Sequence, residues 1–490
     1  MTATQSVAGT TGVVASRIRR LALAWLLATP LQVACAATSA TDVAARAGEA
    51  RFREVYRELV ETDTSLSTGN CTLAAERMAA RLKAAGHPAA RVRVVVPPRF
   101  PKQGNLLATI PGTDGQLPAL LLLAHIDVVE AKASDWKRDP FKLVEEDGWF
   151  YARGVIDDKA MAASFVDAFV RYAENRFRPR RSVKLALTCG EETDATFNGV
   201  QYLLENEPET LAAGFAINEG GSGALDGSGE PASFGVQIGE KIYQDFTLVA
   251  TAPGGHSARP TDDNAIGRLA SALVRVDEHR FPIHMTDATR TFFGRSAALH
   301  EDPLAKDLER IGNGTADAEA FERVAAARPL WNAYLRTTCI PTQVSGGHAP
   351  NAQPQHAEAT VNCRIMPGEG IDEVRARLTK VVGDPGIEIR LAAEPRPQPP
   401  APPLDPRLMR HVEALVAEMW PGVPVIPAIS TGATDGRFLN AAGIPTYGVS
   451  GLFRDPDGNG VHGLDERVRV RSLLDARAFL YRLVQGLSAD

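Results

Sequence analysis

Three apolar runs, each breaking into acidic or histidine side chains at its C-terminal end, constrain this chain more than any other feature. The first, Ala119 to Glu130, reads ALLLLAHIDVVE and ends in His125-Ile126-Asp127. The second, Ser182 to Thr188, runs into Cys189-Gly190-Glu191-Glu192, and the third, Ala213 to Ile217, into Asn218-Glu219-Gly220-Gly221. Each run has the length of a strand and is too short to span a membrane. In open α/β sheets ligands bind beyond the carboxyl ends of the strands, so these groups can converge on one site. His125 and Asp127, two apart on a strand, face the same side. That suits a metal-ligating imidazole with a carboxylate beside it that fixes its orientation.

The surrounding pattern predicts the architecture. From Ala44 to Ala85 apolar residues recur three and four apart, through Phe52, Val55 and Leu59 and then Leu73, Met78 and Leu82, as in a helix. Val92 to Val96 and Asn105 to Ile110 read as strands, and strands alternating with helices predict an α/β fold with a largely parallel central sheet. Asp157-Asp158-Lys159 precede an alanine-rich helix, Ala160 to Ala173; the acids can cap it, although two acids and a lysine exceed what a cap needs. From Lys241 the order becomes β-α-β-β-α-β, that of a ferredoxin-like sandwich, interrupted by a helical insertion at 282–331. The proline-rich stretch Pro395 to Pro403 reads as a linker back to the first domain. The expected division is therefore a catalytic domain in two parts, 37–240 and 396–490, with a second α+β domain, 241–395, inserted between them.

Residues 1–36 differ in kind. Arg17, Arg19 and Arg20 precede a short apolar run, and Ala34-Cys35-Ala36 offers small residues for cleavage, the layout of a secretory signal peptide. Export to the periplasm or medium is the expectation; lipidation of Cys35 is disfavoured by Gln32, which stands where a lipoprotein signal has an aliphatic residue. Once Cys35 leaves with the signal, Cys71, Cys189, Cys339 and Cys363 remain, without the CxxC spacing of a cysteine zinc site. An oxidising compartment permits a disulfide, but spacing cannot choose partners, and the four read mostly as buried small apolar residues. The net charge of −6, with lysine and arginine scattered, excludes the basic stripe of a nucleic-acid binder. At 490 residues the chain exceeds what one core usually holds.

Eight segments in order carry a family resemblance: AHIDVV, ARGVIDDKA, TCGEET, NEGG, GGHSARP, NAQP with NCRIMPG, STGATDGRF and VHGLDERV. Together they resemble the dinuclear zinc hydrolases that include carboxypeptidase S, glutamate carboxypeptidase, aminoacylase and succinyl-diaminopimelate desuccinylase. NEGG and the long insertion look most like the carboxypeptidase S branch. The resemblance implies a zinc-peptidase catalytic domain with an inserted lid or dimerisation domain, and two zinc ions per subunit about 3.5 Å apart. Asp157 would bridge them, His125 and Glu219 would complete one site, and Glu192 and His462 the other. Asp127 would hold His125, and Glu191 would be the general base. His256, with Asn351, would stabilise the oxyanion, often from the partner subunit of a homodimer. Arg364 is a candidate for a substrate carboxylate, because its planar fork binds carboxylate bidentately, and Arg437 is a second candidate. Asn218 departs from the family's usual aspartate before the ligand glutamate, and Ala160 from its glycine after the lysine. The family also often has a cis peptide at the bridging aspartate.

The implied function is hydrolysis of an amide next to a free carboxylate, in a small peptide or an N-acyl amino acid, through a metal-bridging hydroxide. Cobalt or manganese would suit the same donors. A dipeptidase or aminopeptidase recognising a free amine is the alternative within the class. A binding protein that holds metal or peptide without turnover is the alternative outside it, and it would have no need of Glu191.

Overall fold

The computed structural model describes residues 48–193, 196–393, 395, 397 and 399–490. The expected signal peptide lies outside the described residues. Among those residues no helix is long and apolar enough to cross a membrane.

The principal elements run along the chain as α1 (Glu49–Val60), α2 (Cys71–Ala84), β1 (Val92–Val95), β2 (Asn105–Ile110), β3 (Leu120–His125), α3 (Lys159–Glu174), β4 (Val183–Thr188), β5 (Phe215–Asn218) and β6 (Pro231–Glu240). Then follow β7 (Ile242–Thr251), α4 (Ala265–Glu278), α5 (Asp287–Ser296), α6 (Leu304–Gly312), α7 (Ala318–Ala327), α8 (Pro329–Leu335), β8 (Thr338–Gly346), β9 (His356–Ile365), α9 (Ile371–Val382) and β10 (Ile387–Leu391). The chain ends with α10 (Pro406–Met419), β11 (Val425–Ser430), β12 (Thr446–Gly448) and α11 (Val470–Ala489).

The larger sheet has the order β1-β2-β4-β3-β5-β12-β6, with β11 beside β6. Its centre, β4-β3-β5-β12, is parallel, and antiparallel β1 and β2 close one edge. The leucine run explains why β3 sits in the middle. Leu120 and Leu122 pack into the core on one face, Leu121 and Leu123 into the core on the other, and all six residues are buried. Helix α3 is buried on nearly every side, as its alanines and phenylalanines require. Asp158 is its N-cap residue but its side chain makes no capping hydrogen bond, so capping does not account for the two acids. The peptide bond between Asp157 and Asp158 is cis.

The helical pattern from Ala44 to Ala85 resolves into α1 and α2 with a break between them. Asp63 accepts hydrogen bonds from the backbone N–H and hydroxyl of Ser65 and from the hydroxyl of Thr68. Such local side-chain bonds compete with the helical ladder, and Ser65 instead bridges to Val128.

The smaller sheet is antiparallel throughout, in the order β8-β9-β7-β10, with α4 and α9 packed on it. Helices α5 to α8 build a separate small core around Phe293, Leu308, Ile311 and Trp331. Arg295 on α5 donates to Glu413 Oε1 at 2.7 Å and to the Val425 carbonyl at 2.8 Å, tying this insertion to the larger sheet's side of the molecule. Lys241, between β6 and β7, is fully buried and donates to the carbonyls of Ala333 and Arg336.

The cysteines differ from the sequence reading. Cys71 pairs with Cys189 and Cys339 with Cys363, with Cα–Cα separations of 6.1 and 4.1 Å. They are buried because they are bonded, and only the packing of α2 against the end of β4, and of β8 against β9, selects the partners.

Candidate active site

The ends of β3, β4 and β5 point to one place. His125, the last residue of β3, is almost fully buried, with Nε2 3.2 Å from Asp157 Oδ1 and 3.7 Å from Glu219 Oε1. His462, on the loop before α11, puts Nε2 3.2 Å from Asp157 Oδ2 and 3.1 Å from Glu192 Oε1. One carboxylate, Asp157, therefore presents a separate oxygen to each imidazole. Ligand atoms of His125, Asp157 and Glu192 lie within 4.8 Å of one another, as do those of His125, Glu191 and Glu219. Glu191 thus stands in the same cluster as the two glutamates given ligand roles.

Asp127 does more than the sequence suggested. Its carboxylate Oδ1 is 3.6 Å from His125 Nδ1, and the ring nitrogen lies nearer the Asp127 backbone carbonyl, at 3.1 Å. The carboxylate also accepts the backbone N–H of Glu191 at 3.3 Å and of Glu192 at 3.0 Å. A residue two along from the histidine thereby holds the neighbouring strand's loop.

The electrostatics fit a cation site. Burial raises the Glu191 carboxyl well above the usual range, and the Glu219 charge raises it further. Glu219 itself is pushed up to about 8 by burial and by Asp157 and Glu192. Burial would raise Asp157 as well, but His125 and His462 hold it well below the ordinary carboxylate range. Hydrogen bonds to Asp157 and Glu192 push His462 up to about 10. Burial would lower His125, yet Glu219, Asp127 and Asp157 hold it well above its usual value. Four carboxylates around two imidazoles repel one another unless cations neutralise them, and imidazole nitrogen with carboxylate oxygen is the donor set zinc accepts.

Asp157, Glu191, Glu192, Glu219 and His462 line a cavity of about 310 Å³ together with Tyr243, Arg364 and Arg437. Arg364 lies 4.6 Å over the Tyr243 ring and donates to the Thr431 carbonyl at 3.3 Å. Arg437 is buried beside Phe438. His256 and Asn351 are not brought here. His256 is exposed on a two-residue strand, Gly255–His256, paired with Ala352–Gln353, and neither it nor Asn351 lines the cavity. Gly254 and Gly255, which lead into His256, both have positive φ.

Sequence reasoning gave no role to three residues that the structure puts against the site. Tyr243 stands opposite Arg364 in the β7–β9 pairing. Asp435 is buried and accepts from Asn198 Nδ2 at 2.6 Å and from Thr188 Oγ1 at 3.3 Å. Glu466 is buried under the loop that carries His462. Asp435 and Glu466 lie inside the quoted segments STGATDGRF and VHGLDERV, but nothing in their spacing distinguishes a buried acid from a surface one. Asn218, the departure from the family pattern, donates to Thr434 Oγ1 at 3.1 Å, so it supports the strand end behind Glu219.

Comparison with known proteins follows the same lines. Residues 121–486 match peptidase family M20/M25/M40. The chain is 29% identical over 391 residues to the N-fatty-acyl-amino acid synthase/hydrolase PM20D1 of Homo sapiens, covering 78% of this chain and 77% of that protein. It is 28% identical over 387 residues to a probable carboxypeptidase S-like protein 2 of Dictyostelium discoideum, covering 76% and 73%. Among solved structures, a metallo-carboxypeptidase from Sulfolobus solfataricus shares the fold with a TM-score of 0.65 at 18% identity, covering 89% of this chain and 98% of that one.

Proposed function

The chain belongs to peptidase family M20/M25/M40, amide-bond metallohydrolases, and on that premise we propose that it is an exported dinuclear zinc hydrolase cleaving an amide next to a free carboxylate. The observation that carries this reading is Asp157, with one oxygen toward His125 and the other toward His462. His125 and Glu219 would hold one ion, Glu192 and His462 the other, with Asp157 shared between them. Cobalt or manganese would suit the same oxygen and nitrogen donors.

Two such ions supply Lewis-acid polarisation of the amide carbonyl and acidify water toward neutral pH. Glu191, on the loop after β4 and lining the cavity, takes the proton from the attacking water and returns it to the leaving nitrogen. Arg364 receives the substrate carboxylate, its guanidinium 4.6 Å over the Tyr243 ring, and Arg437 adds positive charge in the same cavity. The substrate is a small peptide or an N-acyl amino acid.

His256 and Asn351 are proposed to complete the oxyanion site of a second copy. The smaller sheet offers an edge for that pairing. Ile340 and Val344 on edge strand β8 are 55% and 71% exposed, and Ile266 and Val274 on α4 are exposed beside them.

The experiment is Glu191→Ala, with metal content and hydrolysis measured on dipeptides and N-acyl amino acids after chelation and return of zinc. The ions should remain while turnover falls by orders of magnitude. A variant that still turned over would remove Glu191 as the base. Undiminished hydrolysis of substrates with the carboxylate blocked would favour the free-amine alternative.

A further inference from the structure

Glu466 is four residues beyond His462, 1% exposed, and surrounded by donors from a part of the chain more than three hundred residues away. Its Oε2 accepts from Arg153 Nη1 at 2.7 Å and from the Gly154 backbone N–H at 3.0 Å. Its Oε1 accepts from the backbone N–H of Ile156 at 3.1 Å and of Asp157 at 3.3 Å. Arg153, itself 3% exposed, uses its other terminal nitrogen to donate to the Gly463 carbonyl at 2.8 Å. The two segments are zipped further by Ala152 N–H to the Glu466 carbonyl and by the pairing of Tyr151 with Arg467.

The segment that Glu466 reaches ends in Asp157, and the segment it belongs to carries His462. The latter is a loop under backbone strain: Asn459, His462 and Asp465 all have φ between 54° and 60°, a conformation that non-glycine residues rarely adopt. The His462 side chain is also 56% exposed, so packing does little to place it. At its start the loop is held by buried Asn459, which exchanges hydrogen bonds with Asp455, and at its end, beyond His462, by the buried carboxylate with both oxygens satisfied by the Asp157 segment.

We propose that Glu466, with Arg153, is a positioning residue that sets His462 opposite Asp157 and so creates the second of the two cation positions. This rests on the dinuclear reading above. It adds that the two halves of the site, far apart in sequence, are registered by a carboxylate that touches neither cation nor substrate. A glutamine at 466 keeps the shape but meets two of the four donors with an N–H₂ group, which cannot accept.

The test is Glu466→Gln, followed in three ways. Bound zinc per chain should fall from two toward one under limiting metal, with affinity at the weaker position lowered roughly 10–100-fold. At saturating zinc, kcat should fall with KM little changed, since the carboxylate-binding wall is untouched. In the metal-free protein the amides of Gly154, Ile156 and Asp157 should exchange hydrogen roughly tenfold faster or more. Glu466→Gln with two tightly held ions, or with unchanged protection of those three amides, overturns the proposal. If Glu466→Gln does not fold, Arg153→Lys keeps the charge but loses the fork to Gly463. It should show the same pattern more weakly, and wild-type metal binding there overturns the proposal equally. A wild-type chain that takes up only one ion refutes the dinuclear reading instead, and the exchange of the three amides still decides whether Glu466 ties the segments.

Discussion

The carboxylate of Asp127 accepts the backbone N–H of Glu192 at 3.0 Å, while Glu192 Oε1 lies 3.1 Å from His462. An acid at the end of β3 therefore governs a glutamate on the loop after β4, and through it the loop before α11. Asp127→Asn leaves one good acceptor where two amides need one. Hydrolysis should drop by about 10–100-fold, with weaker metal binding at the Glu192 and His462 side. Steady-state kinetics and zinc titration check this, and activity within twofold of wild type would count against the role.

Arg364 is expected to act in binding rather than turnover. Its planar fork, stacked over Tyr243, cannot be reproduced by a lysine. Arg364→Lys should raise KM about tenfold and leave kcat nearly unchanged. Substrates whose carboxylate is esterified should show no such difference between the two proteins.

The two disulfides should contribute unequally. Cys71–Cys189 closes a segment of 118 residues and Cys339–Cys363 one of 24. In the chain-entropy description, removing the first costs about 4–5 kcal/mol and the second about 3 kcal/mol. Denaturant melts of Cys71→Ser/Cys189→Ser and Cys339→Ser/Cys363→Ser measure this. The first pair should also lower activity more, because Cys189 is two residues from Glu191.

Lys241 gives stability a pH dependence. Burial lowers its pKa from 10.5 to about 7, so between those values the unfolded chain binds a proton that the folded chain does not. Stability from this group therefore rises with pH from about 7 to about 10.5 and is flat below that window. Against Lys241→Met, the wild-type protein should gain on the order of a few kcal/mol across the window. Melting curves of both proteins at pH 7 and pH 9.5 read the difference directly, and parallel curves would refute it.

Much of the architecture was legible because it is written in short-range pattern. The leucine run of β3 has core on both faces, so its residues could be read as a central strand without knowing what packs on them. The three strand ends bearing His125, Glu191 with Glu192, and Glu219 were legible for the same reason, since parallel neighbours deliver their C-terminal ends to one edge. The break between α1 and α2 was missed because Asp63 competes for the backbone through bonds that periodicity does not register. The role of Asp127 was half visible: its direction follows from strand alternation, but the backbone N–H groups that donate to it lie on the loop after another strand.

The sequence by itself determined the fold class, the central strand and the set of residues able to ligate metal, because each depends on local periodicity and side-chain chemistry. Only the tertiary structure decided which groups meet. It put both oxygens of Asp157 between two imidazoles from opposite ends of the chain, chose the cysteine partners and buried Glu466 among the amides of a distant segment. It also left His256 outside the cavity. These are relationships between segments brought together by packing, and a linear chain specifies them only through the whole of its core.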